Sequence, residues 1–307
     1  MPSRLGLGGA PIGNLYTAVS DEDARAAVEA AWLGGVRYFD TAPHYGLGLS
    51  EHRLGDALSE MQRSEFVVST KVGRTLVPND APVGMDSAGF AVPDVLKRVP
   101  DYSATGVRAG LEASMRRLRV EHVDIALVHD PEDHLDEAIE SALPELARLR
   151  DQGTVAAIGA GMNLVEPLRR IVAETDLDVI MLAGRWTLLD RSGAELLTEC
   201  AQRGVQVIAA APFNSGLLAS DAPAPGATFN YGPASAALLD QARELAAVCR
   251  EHSVALPHAA IQFPLQHPAV ACVVAGARTA AEATQAAAWA REPLPDSLWS
   301  DLEEACG

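Results

Sequence analysis

Four polar side chains stand at or just beyond the ends of short apolar runs, and their chemistry is complementary. Asp40 ends Val36-Arg37-Tyr38-Phe39, and Tyr45 follows in the next loop. Lys71 ends Phe66-Val67-Val68-Ser69-Thr70, and His129 ends the run 123–128. A tyrosine hydroxyl titrates near ~10 and alone is a poor acid or base at neutral pH. A neighbouring ammonium favours the phenolate and lowers that value, and a carboxylate can hold the ammonium in place. A neutral imidazole can donate a hydrogen bond to a carbonyl oxygen. Together the four make a proton-transfer device beside a polarised C–O bond, with no need of a Schiff base or a metal cluster. Taken singly, each has an ordinary structural use, such as a loop brace, a half-solvated charge or packing. Only a fold that gathers strand ends makes them one site.

The hydrophobic pattern predicts such a fold. Strands are expected over 4–7, 38–40, 66–71, 123–129, 155–159, 179–182, 205–209 and 270–275, the middle ones as apolar runs buried on both faces. Helical patterns fill 21–33, 50–59, 102–118, 135–150, 165–174, 191–203, 234–251 and 280–289. Ser20 is a natural N-cap for the first, and Gly34-Gly35 ends it. Strand then helix, eight times in 307 residues, predicts an α/β fold, a (β/α)8 TIM barrel over 1–307 as a single domain. A doubly wound sheet is the alternative and would need a Gly-rich phosphate loop after the first strand. Gly6-Leu7-Gly8-Gly9-Ala10-Pro11 is not GxGxxG, and no P-loop, nucleophile elbow or HExxH motif occurs. The long segments 73–101 and 212–233 follow strands, so a barrel places both on its active-site face.

Composition narrows the partners. With 24 Lys+Arg against 41 Asp+Glu, the net charge of −17 argues against nucleic acid and anionic membrane surfaces. The stretch 252–277 lacks Asp, Glu, Lys and Arg but carries three prolines, and reads as a helix followed by a buried strand rather than a membrane span. No signal peptide is evident, and Cys200, Cys249, Cys272 and Cys306 form no CxxC pair, which fits reduced thiols in a cytoplasm. The expected partner is a small-molecule substrate, the expected assembly a monomer or small homo-oligomer. His129-Asp130-Pro131-Glu132-Asp133-His134 has metal-ligating types, yet its crowding and Pro131 read as a loop of solvated charges.

The run Tyr38-Phe39-Asp40-Thr41-Ala42-Pro43-His44-Tyr45-Gly46 through Glu51 resembles the signature of the aldo-keto reductase superfamily. Ser69-Thr70-Lys71-Val72 and Leu127-Val128-His129 resemble its other two catalytic segments. The resemblance covers essentially the whole chain. It implies a barrel that binds a nicotinamide dinucleotide without a Rossmann domain, with Asp40, Tyr45, Lys71 and His129 as the catalytic tetrad. Tyr45 would be the acid in reduction and the base in oxidation, Lys71 paired with Asp40 would tune it, and His129 would orient the substrate oxygen.

The resemblance also implies a cofactor site. Phe213, Asn214, Ser215, Gly216 and Leu218 match the loop that wraps the pyrophosphate, and Gly276, Arg278 and Thr279 the last adenosine-phosphate segment at a helix N-terminus. Asn163 stands near the usual carboxamide-binding position, Ala183 in place of a glutamine, and Ala210 in place of the aromatic that stacks on nicotinamide. Glu282 sits where NADP-preferring members often place arginine, so a carboxylate there favours NAD over NADP, with Arg278 pulling the other way. Tyr16, Phe90 and Trp186 are candidate substrate walls. Lys71-Val72-Gly73-Arg74, Pro100-Asp101-Tyr102-Ser103 and Gly159-Ala160-Gly161-Met162-Asn163 resemble the bacterial aldose 1-dehydrogenase group, which oxidises L-fucose and related sugars. Pyridoxal 4-dehydrogenase-like and general aldehyde-reducing members share much of the pattern. A regulatory subunit that binds dinucleotide without turnover is the alternative of another class.

Overall fold

The apolar runs pair side by side. In the computed structural model, which describes residues 1–306, the strands are β1 (Leu5–Gly8), β2 (Tyr38–Asp40), β3 (Val67–Val72), β4 (Val123–His129), β5 (Val155–Met162), β6 (Val179–Ala183), β7 (Gln206–Ala210) and β8 (Val270–Gly276). Each lies parallel to the next, and β8 returns to β1 with Leu5 opposite Val273, closing the (β/α)8 barrel. The doubly wound alternative is excluded by that closure.

Strand alternation sorts the side chains. Tyr38, Ile125, Leu127, Val179, Met181, Ile208, Cys272 and Val274 fill the barrel interior. Their neighbours Phe39, Val68, Ala126, Val128, Ile180 and Leu182 face outward into the layer under the helices. The same parity carries inward-facing positions to Asp40, Lys71 and His129 at the C-terminal ends of β2, β3 and β4. Gly6 makes room for the interior tyrosine, since a Cβ there would lie 2.5 Å from the Tyr38 ring.

Caps decide where helices begin. Asp21–Leu33 starts where Ser20 accepts from the Asp23 N–H. The third helix, expected from 102, runs Ala104–Leu118, because Ser103 caps it by accepting from the Gly106 N–H. Tyr102 is thereby left outside the helix and free to reach the strand ends. The expected helix 135–150 is broken into Leu135–Glu137, a π turn over Ala138–Ala142 and Leu143–Asp151. Pro144 lies in the first turn of that last piece and has no N–H to continue the upstream ladder. Asp296–Cys306 is an additional helix that the sequence pattern did not reveal.

Both long segments contain hairpins. Arg74–Pro78 pairs antiparallel with Leu96–Pro100, and Thr228–Phe229 with Gly232–Pro233. Among the described residues, no helix is long and apolar enough to cross a membrane. Cys200, Cys249 and Cys272 are buried free thiols.

Candidate active site

Asp40 and Lys71 meet inside the mouth of the barrel, each nearly sealed from solvent. The Lys71 Nζ donates to Asp40 Oδ2 at 2.7 Å, to Oδ1 at 2.9 Å and to the Thr41 carbonyl at 2.9 Å. All three ammonium protons are thus committed. Ser69 donates to Asp40 Oδ1 at 2.7 Å, and Tyr38 joins that network through the Ser69 hydroxyl. The Lys71 Nζ also lies 4.7 Å from the centre of the Tyr45 ring. The His129 ring stands edge-on to Tyr45 with centroids 5.8 Å apart. The four candidate residues therefore converge on one place.

Burial pushes the Tyr45 hydroxyl well above its ordinary range, and the charges of Asp40 and Asp130 add to that. The three hydrogen bonds of the Lys71 ammonium go to Asp40 and the Thr41 carbonyl, and none goes to the phenol. Tyr45 is held as a neutral phenol, the form that donates a proton. Burial, assisted by the Lys71 charge, keeps His129 neutral by pushing its imidazole far below the usual histidine range. His129 Nδ1 is buried without a partner, whereas Nε2 lies 3.4 Å from Asp130 Oδ2. That contrast places the ring proton on Nε2, facing the open side of the site.

These side chains border a cavity of about 510 Å³. Tyr16, Phe90 and Asn163 also line it, as do His44, Asp130 and Tyr231, which sequence reasoning did not single out for this site. Phe90 stacks on Tyr45 at 6.1 Å. The loop after β1 is stitched to the long hairpin segment, with the Tyr16 N–H donating to the Gly89 carbonyl at 2.8 Å. Asp130 is not the solvated loop charge expected from its sequence context. It pairs with Arg74 at 3.1 Å, and burial pushes its carboxyl up to about 6. His44 sits between Arg74 and Phe90, and burial with the nearby Arg98 and Arg74 charges lowers it to about 3. Among the described residues no group of His, Cys, Asp and Glu is arranged to hold a metal ion.

Trp186 does not serve as a wall. Its indole N–H donates to the Pro264 carbonyl at 3.2 Å and its ring packs on Phe263 and His267, away from the cavity. Leu218 is fully buried in a side core, and Phe213 packs against the same cluster, so apolar burial claims both side chains. In that loop Asn214 Nδ2 donates to the Gly184 carbonyl at 3.4 Å and the Ser215 hydroxyl accepts from the Tyr231 N–H at 3.1 Å. Asn214 and Ser215 adopt left-handed backbone with φ of 46° and 60°, and Gly216 follows at 109°. Successive left-handed residues turn backbone N–H groups to one side, which suits a phosphate. The buried Asn214 Oδ1 has no partner.

The opposite rim carries Arg278, whose buried Nε is also unpartnered. Thr279 caps the helix Ala280–Trp289 by accepting from the Glu282 N–H. Glu282 Oε2 in turn accepts from the Arg278 N–H at 2.7 Å. Gly276 lets the end of β8 pass Pro11, since a Cβ there would lie 2.5 Å from its ring. The Tyr16 hydroxyl interacts with Ser215 and with the Arg278 charge, so the loops after β1, β7 and β8 approach one another. The unpartnered Arg278 Nε is a donor that fits a phosphate oxygen, and the unpartnered Asn214 Oδ1 an acceptor that fits a hydroxyl or amide N–H, both of which a dinucleotide carries.

Comparison with protein families matches residues 4–306 to the aldo/keto reductase family. The chain belongs to that family. It is 49% identical to the D-threo-aldose 1-dehydrogenase of a Pseudomonas species, covering 98% of this chain and 93% of the relative. It is 38% identical to the pyridoxal 4-dehydrogenase of Microbacterium luteolum, again over 98% and 93%. Among solved structures, the glycerol dehydrogenase of Gluconobacter oxydans superposes with a TM-score of 0.78 at 23% identity, covering 99% of this chain and 91% of that one, a likeness of fold. As an aldo-keto reductase, the protein is an NAD(P)-dependent oxidoreductase acting on a small molecule.

Proposed function

We propose that the whole chain acts as one NAD-dependent dehydrogenase unit that oxidises the ring hydroxyl of a small aldose, such as L-fucose, to its lactone. The observation that carries this reading is the 49% identity to a D-threo-aldose 1-dehydrogenase along nearly the full length of both chains. Tyr45 exchanges the hydroxyl proton, His129 holds the reacting oxygen through its Nε2 proton, and the Asp40–Lys71 pair fixes the Tyr45 ring. The bound nicotinamide supplies the hydride acceptor at the carbon that loses hydrogen. Asn163, which lines the cavity, would hold its carboxamide, and Asn214, Ser215, Gly216 and Arg278 would hold the phosphates.

Glu282 supports NAD as the preferred form. Its carboxylate already occupies the anion position at the Arg278 N–H. A 2′-phosphate brought there meets a like charge, whereas a ribose hydroxyl can donate to it.

The decisive experiment follows NADH absorbance with purified protein and L-fucose, D-arabinose, L-galactose or pyridoxal, each with NAD and with NADP. Oxidation of the sugars with NAD supports the proposal. Oxidation of pyridoxal alone transfers the chain to the second reading, which the 38% identical relative favours. Tight dinucleotide binding without turnover on any carbonyl or hydroxyl compound leaves the regulatory reading.

A further inference from the structure

Asp130 is the charged side chain at this site that the proton-transfer set does not use. Its backbone is strained, with φ at +40°, a region that non-glycine residues rarely occupy. Neighbours hold it there. The Tyr102 hydroxyl lies 2.8 Å from the His129 carbonyl and 3.0 Å from that of Asp130. The Asp130 N–H donates to the Gly161 carbonyl at 3.0 Å. Gly73, with φ at +100°, leaves space for the Tyr102 ring, which a Cβ would strike at 2.2 Å. Such strain persists where surrounding structure over-determines it, and points to use at the site.

The side chain is aimed as firmly as the backbone. Arg74 reaches Asp130 Oδ2 at 3.1 Å, while its NH1 lies 3.5 Å from His44 Nδ1 and its guanidinium also engages the Tyr102 hydroxyl. The carboxylate borders the cavity, with Oδ2 3.4 Å from His129 Nε2. An oxygen that accepts from Nε2 at ~2.9 Å has Asp130 one hydroxyl further along the substrate. A carboxylate accepts hydrogen bonds and cannot donate them, so it recognises hydroxyl groups and rejects carbonyl or bare hydrocarbon surfaces.

We propose that Asp130, oriented by Arg74 and Tyr102, is the specificity-determining residue that accepts hydrogen bonds from the hydroxyls next to the reacting carbon and so selects polyhydroxylated substrates. This rests on the reading of the chain as a dehydrogenase of small hydroxylated compounds. It explains why Arg74 and Tyr102, separate in sequence, meet at one residue.

The test compares wild type, Asp130→Asn, Arg74→Gln and the double variant. With NADH, each is assayed on glyceraldehyde and on propionaldehyde, which have the same carbon skeleton and differ in hydroxyls. The ratio of the two kcat/KM values should fall at least tenfold in Asp130→Asn, chiefly through KM for glyceraldehyde. Arg74→Gln should lower the ratio in the same direction, and the double variant should fall no further than Asp130→Asn. Equal losses on both aldehydes, leaving the ratio unchanged, overturn the proposal and make Asp130 a support for His129. L-fucose with NAD is assayed in parallel. A wild type silent on L-fucose, with the aldehyde ratio still collapsing in Asp130→Asn, overturns the aldose reading and supports the role of Asp130.

Discussion

Lys71 and Asp40 form a closed pair, with the ammonium 2.7 and 2.9 Å from the two carboxylate oxygens and its third proton on the Thr41 carbonyl. Both side chains are at most 3% exposed. Breaking one half leaves the other buried and uncompensated. Asp40→Asn should therefore destabilise the protein by about 3–5 kcal/mol, the usual cost of leaving a buried charge unpaired. Adding Lys71→Met should recover part of that stability while turnover stays lost. Urea unfolding midpoints check this, and a double variant less stable than Asp40→Asn would refute it.

Removing the proton donor separates chemistry from binding. Tyr45→Phe keeps the ring that stacks on Phe90 and deletes the hydroxyl. Turnover should fall by about 10²–10⁴-fold, the range for a positioned acid or base. Dinucleotide affinity, read by quenching of protein fluorescence, should stay within about twofold, because none of the groups assigned to the phosphates touches the phenol. A variant that retains its rate would show that another group moves the proton.

The raised Tyr45 hydroxyl sets the sign of the pH response. Oxidation needs the deprotonated form and reduction the protonated one. Below the phenol's value the deprotonated fraction rises about tenfold per pH unit, so chemistry-limited oxidation should climb through the alkaline range while reduction stays flat there. Rates at saturating substrate and cofactor in both directions test this. An oxidation profile that is level from neutral pH upward would place the titrating group elsewhere.

The barrel was legible because it follows from strand periodicity, whereas the four candidate catalytic residues were read from segments that resemble the family's, with Tyr45 in a loop that periodicity does not place. Once Tyr38, Ile125 and Leu127 face inward, Asp40 and His129 face inward by alternation, and Lys71 shares the parity of Ser69. What stayed hidden depends on contacts between distant loops. Arg74 and Asp130 pair between the loops that follow the adjacent strands β3 and β4, and nothing in the acidic string around Asp130 marks it as different from Glu132 or Asp133. Only the start of a helix at Ala104 rather than at 102 frees Tyr102 to hold that turn. The packing of Trp186 and Leu218 was hidden for the same reason. The Pro264 carbonyl holds the Trp186 side chain away from the cavity, and a secondary apolar core holds that of Leu218, which leaves only its backbone for a cofactor. The sign of the Tyr45 shift follows from its burial and from the nearby Asp40 and Asp130 charges, which need coordinates.

Glu282 offers a test of cofactor choice that leaves the chemistry untouched. Its carboxylate closes a reciprocal cap, accepting from the Arg278 N–H while its own N–H donates to Thr279. Glu282→Gln keeps an acceptor for that N–H and removes the negative charge. The stability cost should stay below about 1 kcal/mol, in line with other cap substitutions. Loss of a like charge facing a 2′-phosphate should raise the ratio of kcat/KM with NADP to that with NAD by about tenfold, the equivalent of ~1.4 kcal/mol of relieved repulsion in a partly solvated site. Arg278→Ala should move the ratio the other way, since the guanidinium is the cation on that rim. If Glu282→Gln leaves the ratio where it was, the carboxylate serves the helix alone, and the preference between the two dinucleotides is set by other contacts of the groove.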